Sequence, residues 1–305
     1  MHRRAFLGAT ATALAAQAAP KGWRLTVFSK HLQWAPGYDA MAEFAAAAGF
    51  DGVDLTVRSG GHVLPERVAS DLPRAVDAVR KAGLQVPMIT AGIVDAETPH
   101  AEEILATASG LGIRYYRWGD LKYRDGEPIA AQLEALKPRV RALAALNERH
   151  RITAMYHTHS GMEVGAPIWD LWELLRDVDP QWTGINYDVG HATVEGGYGG
   201  WIRSFQLIGK YMRGVALKDF VWGKEGRGEW RPQWCPPGDG MVDFPRFFRM
   251  LRQADFDGPI QVHFEYSGLG GASEGKRSLT ISKSELLARF KRDVQFFRNQ
   301  IARAA

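Results

Sequence analysis

The feature that most constrains this chain is a repeat. From residue 24 onward, short β-rich apolar runs alternate with longer segments whose apolar residues recur every three or four positions. The runs are Arg24–Phe28, Gly52–Val57, Gln85–Thr90, Arg114–Trp118, Ile152–His157, Thr183–Asp188, Gly214–Lys218 and Pro259–Glu265, eight in all. Between them the pattern is that of amphipathic helices, as in Leu133, Leu136, Val140, Leu143 and Leu146. Helix-stop glycines such as Gly49, Gly83, Gly112 and Gly258 fall just before the next run. No Pro/Gly/Ser-rich linker divides the chain, which indicates a single domain. Eight βα units with near-continuous apolar strands predict an α/β fold, a closed parallel (β/α)8 barrel. A doubly wound open sheet would carry a Gly-rich phosphate turn after its first strand; Ser29-Lys30-His31-Leu32-Gln33-Trp34 stands there instead.

With 46% apolar and 24% charged residues among 305, the chain can bury one large core. Its net charge of +4 is spread, with Lys and Arg interleaved among Asp and Glu, so no basic face for nucleic acid is expected. The start, His2-Arg3-Arg4-Ala5-Phe6-Leu7-Gly8, leads into a small apolar run from Ala9 to Ala19 and then Pro20. A charged n-region, a short h-region and small cleavage residues read as a signal peptide over residues 1–20, with the barrel domain over 21–305. The paired arginines resemble a twin-arginine (Tat) export signal and predict a periplasmic protein. Cys235 is the single cysteine, so no intramolecular disulfide is possible, which is compatible with export. No later run approaches the ~18 apolar residues of a membrane span, so no stable membrane anchor is expected. Oligomerisation is left open.

In a barrel of this kind the chemistry sits where the strands end. The fifth strand ends Tyr156-His157-Thr158-His159-Ser160-Gly161, and the sixth Asn186-Tyr187-Asp188-Val189-Gly190-His191. The seventh ends Ala216-Leu217-Lys218-Asp219, and the eighth His263-Phe264-Glu265-Tyr266. Strand side chains alternate, so His157 shares a side with His159, Ala216 with Lys218, and His263 with Glu265. Carboxylates gathered in a barrel mouth are costly unless a cation neutralises them. Imidazole and carboxylate ligands together suit one divalent manganese, zinc or cobalt ion, or iron, better than magnesium.

On these residues the chain resembles the sugar phosphate isomerase/epimerase superfamily, the xylose isomerase-like TIM barrels. The resemblance spans the chain after the signal and rests on Asp188-Val189-Gly190-His191, the Tyr156–Gly161 run, Glu265, and Val57-Arg58-Ser59-Gly60-Gly61-His62-Val63. It implies metal ligands on the fifth to eighth strands, a Glu, an Asp, a His and a Glu. Asp188 and Glu265 match; His157 stands where the first Glu is expected; the seventh-strand His falls on Ala216. That leaves three possibilities: a three-ligand site completed by water, a replacement by His159 or His191, or a barrel that has abandoned metal. The resemblance further implies proton abstraction beside a carbonyl through an enediolate. Glu265 would be ligand and base, Lys218 an acid or base, and His191 a contact to substrate hydroxyls.

Isomerisation or epimerisation of a keto-sugar is the leading reading. The alternatives are a lyase or hydratase acting on a 3-keto-glycoside or oxidised sugar, and a non-catalytic exported sugar-binding barrel. Phosphodiester hydrolysis by a three-zinc site would need more ligands than nine histidines readily provide. His159, Arg58, His62, Arg117 and Trp118 are candidate substrate contacts. Trp34, Trp222, Trp230 and Trp234 lie in or beside predicted βα loops, where flat rings can stack on a carbohydrate, and the Gly-rich stretch Phe220–Val242 reads as a lid.

Overall fold

The computed structural model describes residues 22–304; the expected signal peptide lies outside the described residues. Seven strands come first: β1 (Leu25–Phe28), β2 (Gly52–Val57), β3 (Met88–Ala91), β4 (Tyr115–Trp118), β5 (Thr153–His157), β6 (Thr183–Asp188) and β7 (Met212–Leu217). An antiparallel ribbon follows, β8 (Asp219–Glu225) with β9 (Glu229–Cys235), and then the last strand, β10 (Ile260–Val262). Strands β1 to β7 and β10 close a parallel barrel in chain order, with β10 hydrogen-bonded to both β7 and β1. The (β/α)8 architecture read from the sequence is the one observed.

Helices α1 (Tyr38–Ala48), α2 (Val68–Lys81), α3 (Ala101–Gly110), α4 (Ile129–His150), α5 (Trp169–Leu175), α6 (Val189–Gly196), α7 (Gly200–Ile208), α8 (Phe244–Gln253) and α9 (Lys283–Arg303) form the outer layer. Two expected strand boundaries shift for physical reasons. Pro87 has no N–H to give to a ladder, so Gln85 makes only an isolated bridge to Gly52 and β3 starts at Met88. The eighth run leaves the sheet at Val262, which puts His263 and Glu265 in the loop beyond it.

Strand alternation sorts the side chains into two cores. Tyr116, Tyr156 and Tyr187 face the helices: the hydroxyl of Tyr116 donates to Asn147 Oδ1 (2.7 Å), that of Tyr156 to Val164 O (2.8 Å), and that of Tyr187 to Trp201 O (2.9 Å). Their neighbours in sequence, Arg117, His157 and Asp188, therefore face the barrel axis. The loop after β10 is fastened on two sides. Phe264 stacks on Phe290 of α9 with centroids 3.7 Å apart, and its N–H donates to His31 Nε2 (3.0 Å). His31 in turn bonds Ala272 O through Nδ1 (3.1 Å). This buried imidazole uses both nitrogens structurally, and burial among cations pushes its pKa down to about 3.

Candidate active site

The site begins with Asp188, the last residue of β6 and the N-cap of α6. Its Oδ1 accepts from His191 N (3.1 Å), the ordinary duty of a capping aspartate. Its Oδ2 is buried, has no hydrogen-bond partner, and points into the barrel mouth. His263 faces it: Nε2–H donates to Gln261 Oε1 (3.1 Å), which leaves the Nδ1 lone pair buried and unpartnered, 3.9 Å from Asp188 Oδ2. His157 Nδ1 contacts the Asn186 side-chain amide (3.0 Å), and its Nε2 lies 3.6 Å from the same Asp188 oxygen. Single ligand atoms of His157, Asp188 and His263 lie within 4.8 Å of one another. Glu265 Oε1 is 4.0 Å from His263 Nδ1.

A second set of contacts runs through Lys218, the residue after β7. Its Nζ is 2.5 Å from Glu265 Oε2, 2.6 Å from His191 Nε2 and 3.4 Å from Asp188 Oδ2, and it lies under the Trp234 ring at 4.0 Å. Ser160 N donates to the other nitrogen of His191 (3.0 Å), and Trp234 meets that imidazole edge-on at 4.8 Å. Lys30 Nζ approaches Glu265 Oε1 at 3.8 Å.

Burial raises the carboxyl of Asp188 to about 6, against the pull of Lys218. Burial acts in the same sense on Glu265, but Lys218, His263 and Lys30 outweigh it and hold Glu265 well below the usual carboxylate range. His157, His191 and His263 are driven well below the usual histidine value, by burial first and then by the surrounding cations. Neutral imidazoles and an ionised glutamate are the protonation states that both metal binding and proton abstraction require.

Of the other expected contacts, His159 joins the rim, with ring centroids 4.7 Å from His157 and 5.2 Å from His191. Arg117 Nη2 is 3.2 Å from His159 Nε2, and the guanidinium groups of Arg58 and Arg117 lie 5.6 and 5.8 Å from the Phe28 ring centroid. His62 is set among Ser29, Thr56 and Tyr38 at the β1–β2 rim: its Nδ1 is 3.0 Å from Thr56 Oγ1. Among the described residues, no hydrogen bond, ion pair or ring contact joins it to the imidazole cluster. Trp118 is not brought to the mouth. It shares the outward parity of Tyr116 and packs edge-on against Tyr156 at 5.0 Å, so a substrate contact through its ring is corrected to a packing role. Trp34 likewise packs on Phe44.

The expected lid is an ordered β-ribbon. Asp219 anchors both of its ends by accepting from Phe220 N (2.9 Å), Gly238 N (2.9 Å), Gly240 N (3.1 Å) and Val242 N (3.1 Å). His263 as a ligand candidate was missed in sequence, although its parity with Glu265 was on view. Ala216, opposite Asp188 in the β6–β7 register and Gln261 in the β7–β10 register, leaves the inward space beside Asp188 without an imidazole of its own.

Residues 42–298 match the family model described as xylose isomerase-like TIM barrel, and the chain belongs to that family. No curated protein matches it by sequence. Among solved structures, the IOLI protein with a bound zinc atom is similar at TM-score 0.68 and 13% identity, over 92% of this chain and 99% of that one. The probable 3-DHS dehydratase AsbF of Bacillus anthracis gives 0.65 and 15%, over 88% and 97%. D-allulose 3-epimerase from Methylomonas sp., crystallised with D-allulose, gives 0.63 and 18%, over 91% and 97%. At these identities the likeness is one of fold.

Proposed function

We propose that this protein is a divalent-metal-dependent isomerase or epimerase that moves a proton on the carbon beside the carbonyl of a sugar or sugar derivative. The observation that carries the reading is the meeting of His157, Asp188 and His263, whose ligand atoms lie within 4.8 Å of one another, with Asp188 Oδ2 and His263 Nδ1 buried 3.9 Å apart. The Lys218 ammonium, 3.4 Å from Asp188 Oδ2, offsets that carboxylate's charge in part, and the buried lone pair of His263 Nδ1 is the acceptor that calls for a cation. His157, Asp188, His263 and Glu265 are the residues that would hold it, with His263 supplying from the loop after β10 the imidazole that Ala216 lacks on β7. Nitrogen and carboxylate donors suit manganese, zinc or cobalt, and the zinc of the IOLI relative supports this choice. When bound, such an ion polarises a carbonyl oxygen as a Lewis acid.

The chain's own groups supply the proton chemistry. Glu265, kept ionised by Lys218, is the base that takes the proton. Lys218, in contact with both Glu265 and His191, joins them in the path by which a proton is held and returned. Trp234 covers Lys218 and excludes water from that path. Return of the proton to the opposite face of the same carbon gives the epimer, and return to the neighbouring carbon gives the isomer. Loss of a β-substituent is the lyase outcome, in keeping with the dehydratase among the fold relatives. We further propose export to the periplasm, on the Arg3-Arg4 signal pattern.

The test is proton exchange in heavy water with a panel of keto-sugars and 3-keto-glycosides. Deuterium incorporation that depends on added manganese, zinc or cobalt supports the reading. Exchange that survives both chelation and Glu265→Gln overturns it.

A further inference from the structure

Beside the imidazole cluster, at the ends of β2 and β4, Arg58 and Arg117 converge on one aromatic ring. Their guanidinium carbons lie 5.6 and 5.8 Å from the centroid of Phe28, whose ring also stacks on His263 at 4.9 Å. The Phe28 ring thus links this pair of cations to His263, and Arg117 also reaches the imidazole rim directly through His159. Arg117 is buried and has partial partners: His159 Nε2 at 3.2 Å and Asp120 Oδ1 at 3.9 Å. Arg58 is half-buried, and its side chain, among the described residues, has neither an ion pair nor a hydrogen bond; its guanidinium rests against the Phe28 ring. The nearby buried carboxyl, Asp54, makes no ion pair with either arginine and is held instead by Thr90 at 2.7 Å.

Two like charges on one ring are unfavourable in the free protein; Asp120, 3.9 Å from Arg117, offsets them only in part, and the five-donor fork of Arg58 is left open. Evolution of a neutral-sugar site does not require that cost. A planar guanidinium pair is suited to bidentate bonding with a carboxylate or phosphate. Lys30, on the same rim, adds a third positive charge that feels both arginines.

We infer that Arg58 and Arg117 form a receptor for an oxyanion carried by the substrate, so that the class acted on is an acidic sugar derivative, a carboxylate or a phosphate, in preference to a neutral sugar. This rests on the proposed function only in taking the ligand to be a sugar.

Direct binding tests it without turnover. Isothermal titration of the chelator-treated protein uses D-glucuronate, D-glucose 6-phosphate and D-glucose as probes, with Arg58→Gln and Arg58→Lys as variants. The expected result is at least tenfold tighter binding of an acidic probe than of D-glucose, weakened by salt. That preference is abolished in Arg58→Gln and partly kept in Arg58→Lys, which retains the charge. Preference for glucuronate identifies the anion as a carboxylate, and preference for the 6-phosphate identifies it as a phosphate. Equal binding of all three probes, no binding of the acidic ones, or an acidic preference unchanged in Arg58→Gln overturns the inference. An Arg58-dependent preference without proton exchange on any keto-sugar would leave the receptor standing and remove the catalytic reading. Exchange on neutral keto-sugars with no acidic preference would do the reverse.

Discussion

Asp188 divides its two oxygens between tasks. One caps α6 and so fixes the carboxylate; the other is left facing His263 and His157. The capping pattern and the polar strand end were both readable in the sequence, and so was the alternation that puts Arg117 inward. The same alternation puts Trp118 outward, yet proximity to the strand end made both appear as mouth residues. Parity is the stronger rule, because adjacent strand residues cannot face one centre. Glu265→Gln removes the base while keeping size and hydrogen bonding, and should slow proton exchange by roughly 10²–10⁴-fold with an unchanged circular dichroism spectrum. Asp54 gives a stability prediction. Burial raises its carboxyl from 3.8 to about 7. The folded chain then keeps a proton across a pH window in which the unfolded chain has lost it. The stability this group contributes is complete below pH about 4 and declines until the pH passes about 7, by a total on the order of 4 kcal/mol. Denaturant unfolding of Asp54→Asn across that window should show a flatter pH profile than the parent. An identical slope would contradict the assignment.

At the level of elements, the eight barrel strands were legible because each is short, apolar and punctuated by glycine. The β8–β9 ribbon was not, since Gly223, Gly226 and Gly228 with alternating charges look like loop composition. What makes it a ribbon is local pairing across seven residue pairs, together with the four N–H groups gathered by Asp219. Asp219→Ala should therefore loosen residues 220–242 selectively, seen as faster amide exchange there, at a cost of about 1–3 kcal/mol. The site was half legible for a related reason. The sequence shows no imidazole at Ala216, and the one that reaches the same space comes from the loop after the neighbouring strand, at His263. If His263 fills that role, His263→Ala should weaken manganese or zinc binding at least about tenfold. Adding Ala216→His to it should recover part of the loss in a titration followed by calorimetry. No recovery, with the fold intact, would argue that the space beside Asp188 is not part of the metal's shell.

For the molecule as a whole, the closed barrel places the catalytic candidates at the C-terminal ends of β5, β6, β7 and β10 and the arginine pair at those of β2 and β4, around one mouth. A substrate spanning them would be gripped at an anionic end and reacted at the other. No helix among the described residues is long and apolar enough to cross a membrane. Because a bound ion would link several strands, loading should stabilise the entire fold: about 2.7 kcal/mol at a hundredfold excess over Kd. That corresponds to a rise of several degrees in Tm, reversed by chelation. On the reading proposed above, Asp188 and His263 hold a cation between them. That reading is tested most directly by elemental analysis of the purified chain after loading with manganese, zinc or cobalt and exhaustive dialysis, alongside an Asp188→Asn/His263→Ala double variant that retains its circular dichroism. One ion per wild-type chain and none in the variant is the predicted result. A wild-type chain that retains none of the three metals, or a double variant that retains its ion as fully as the parent, would contradict it.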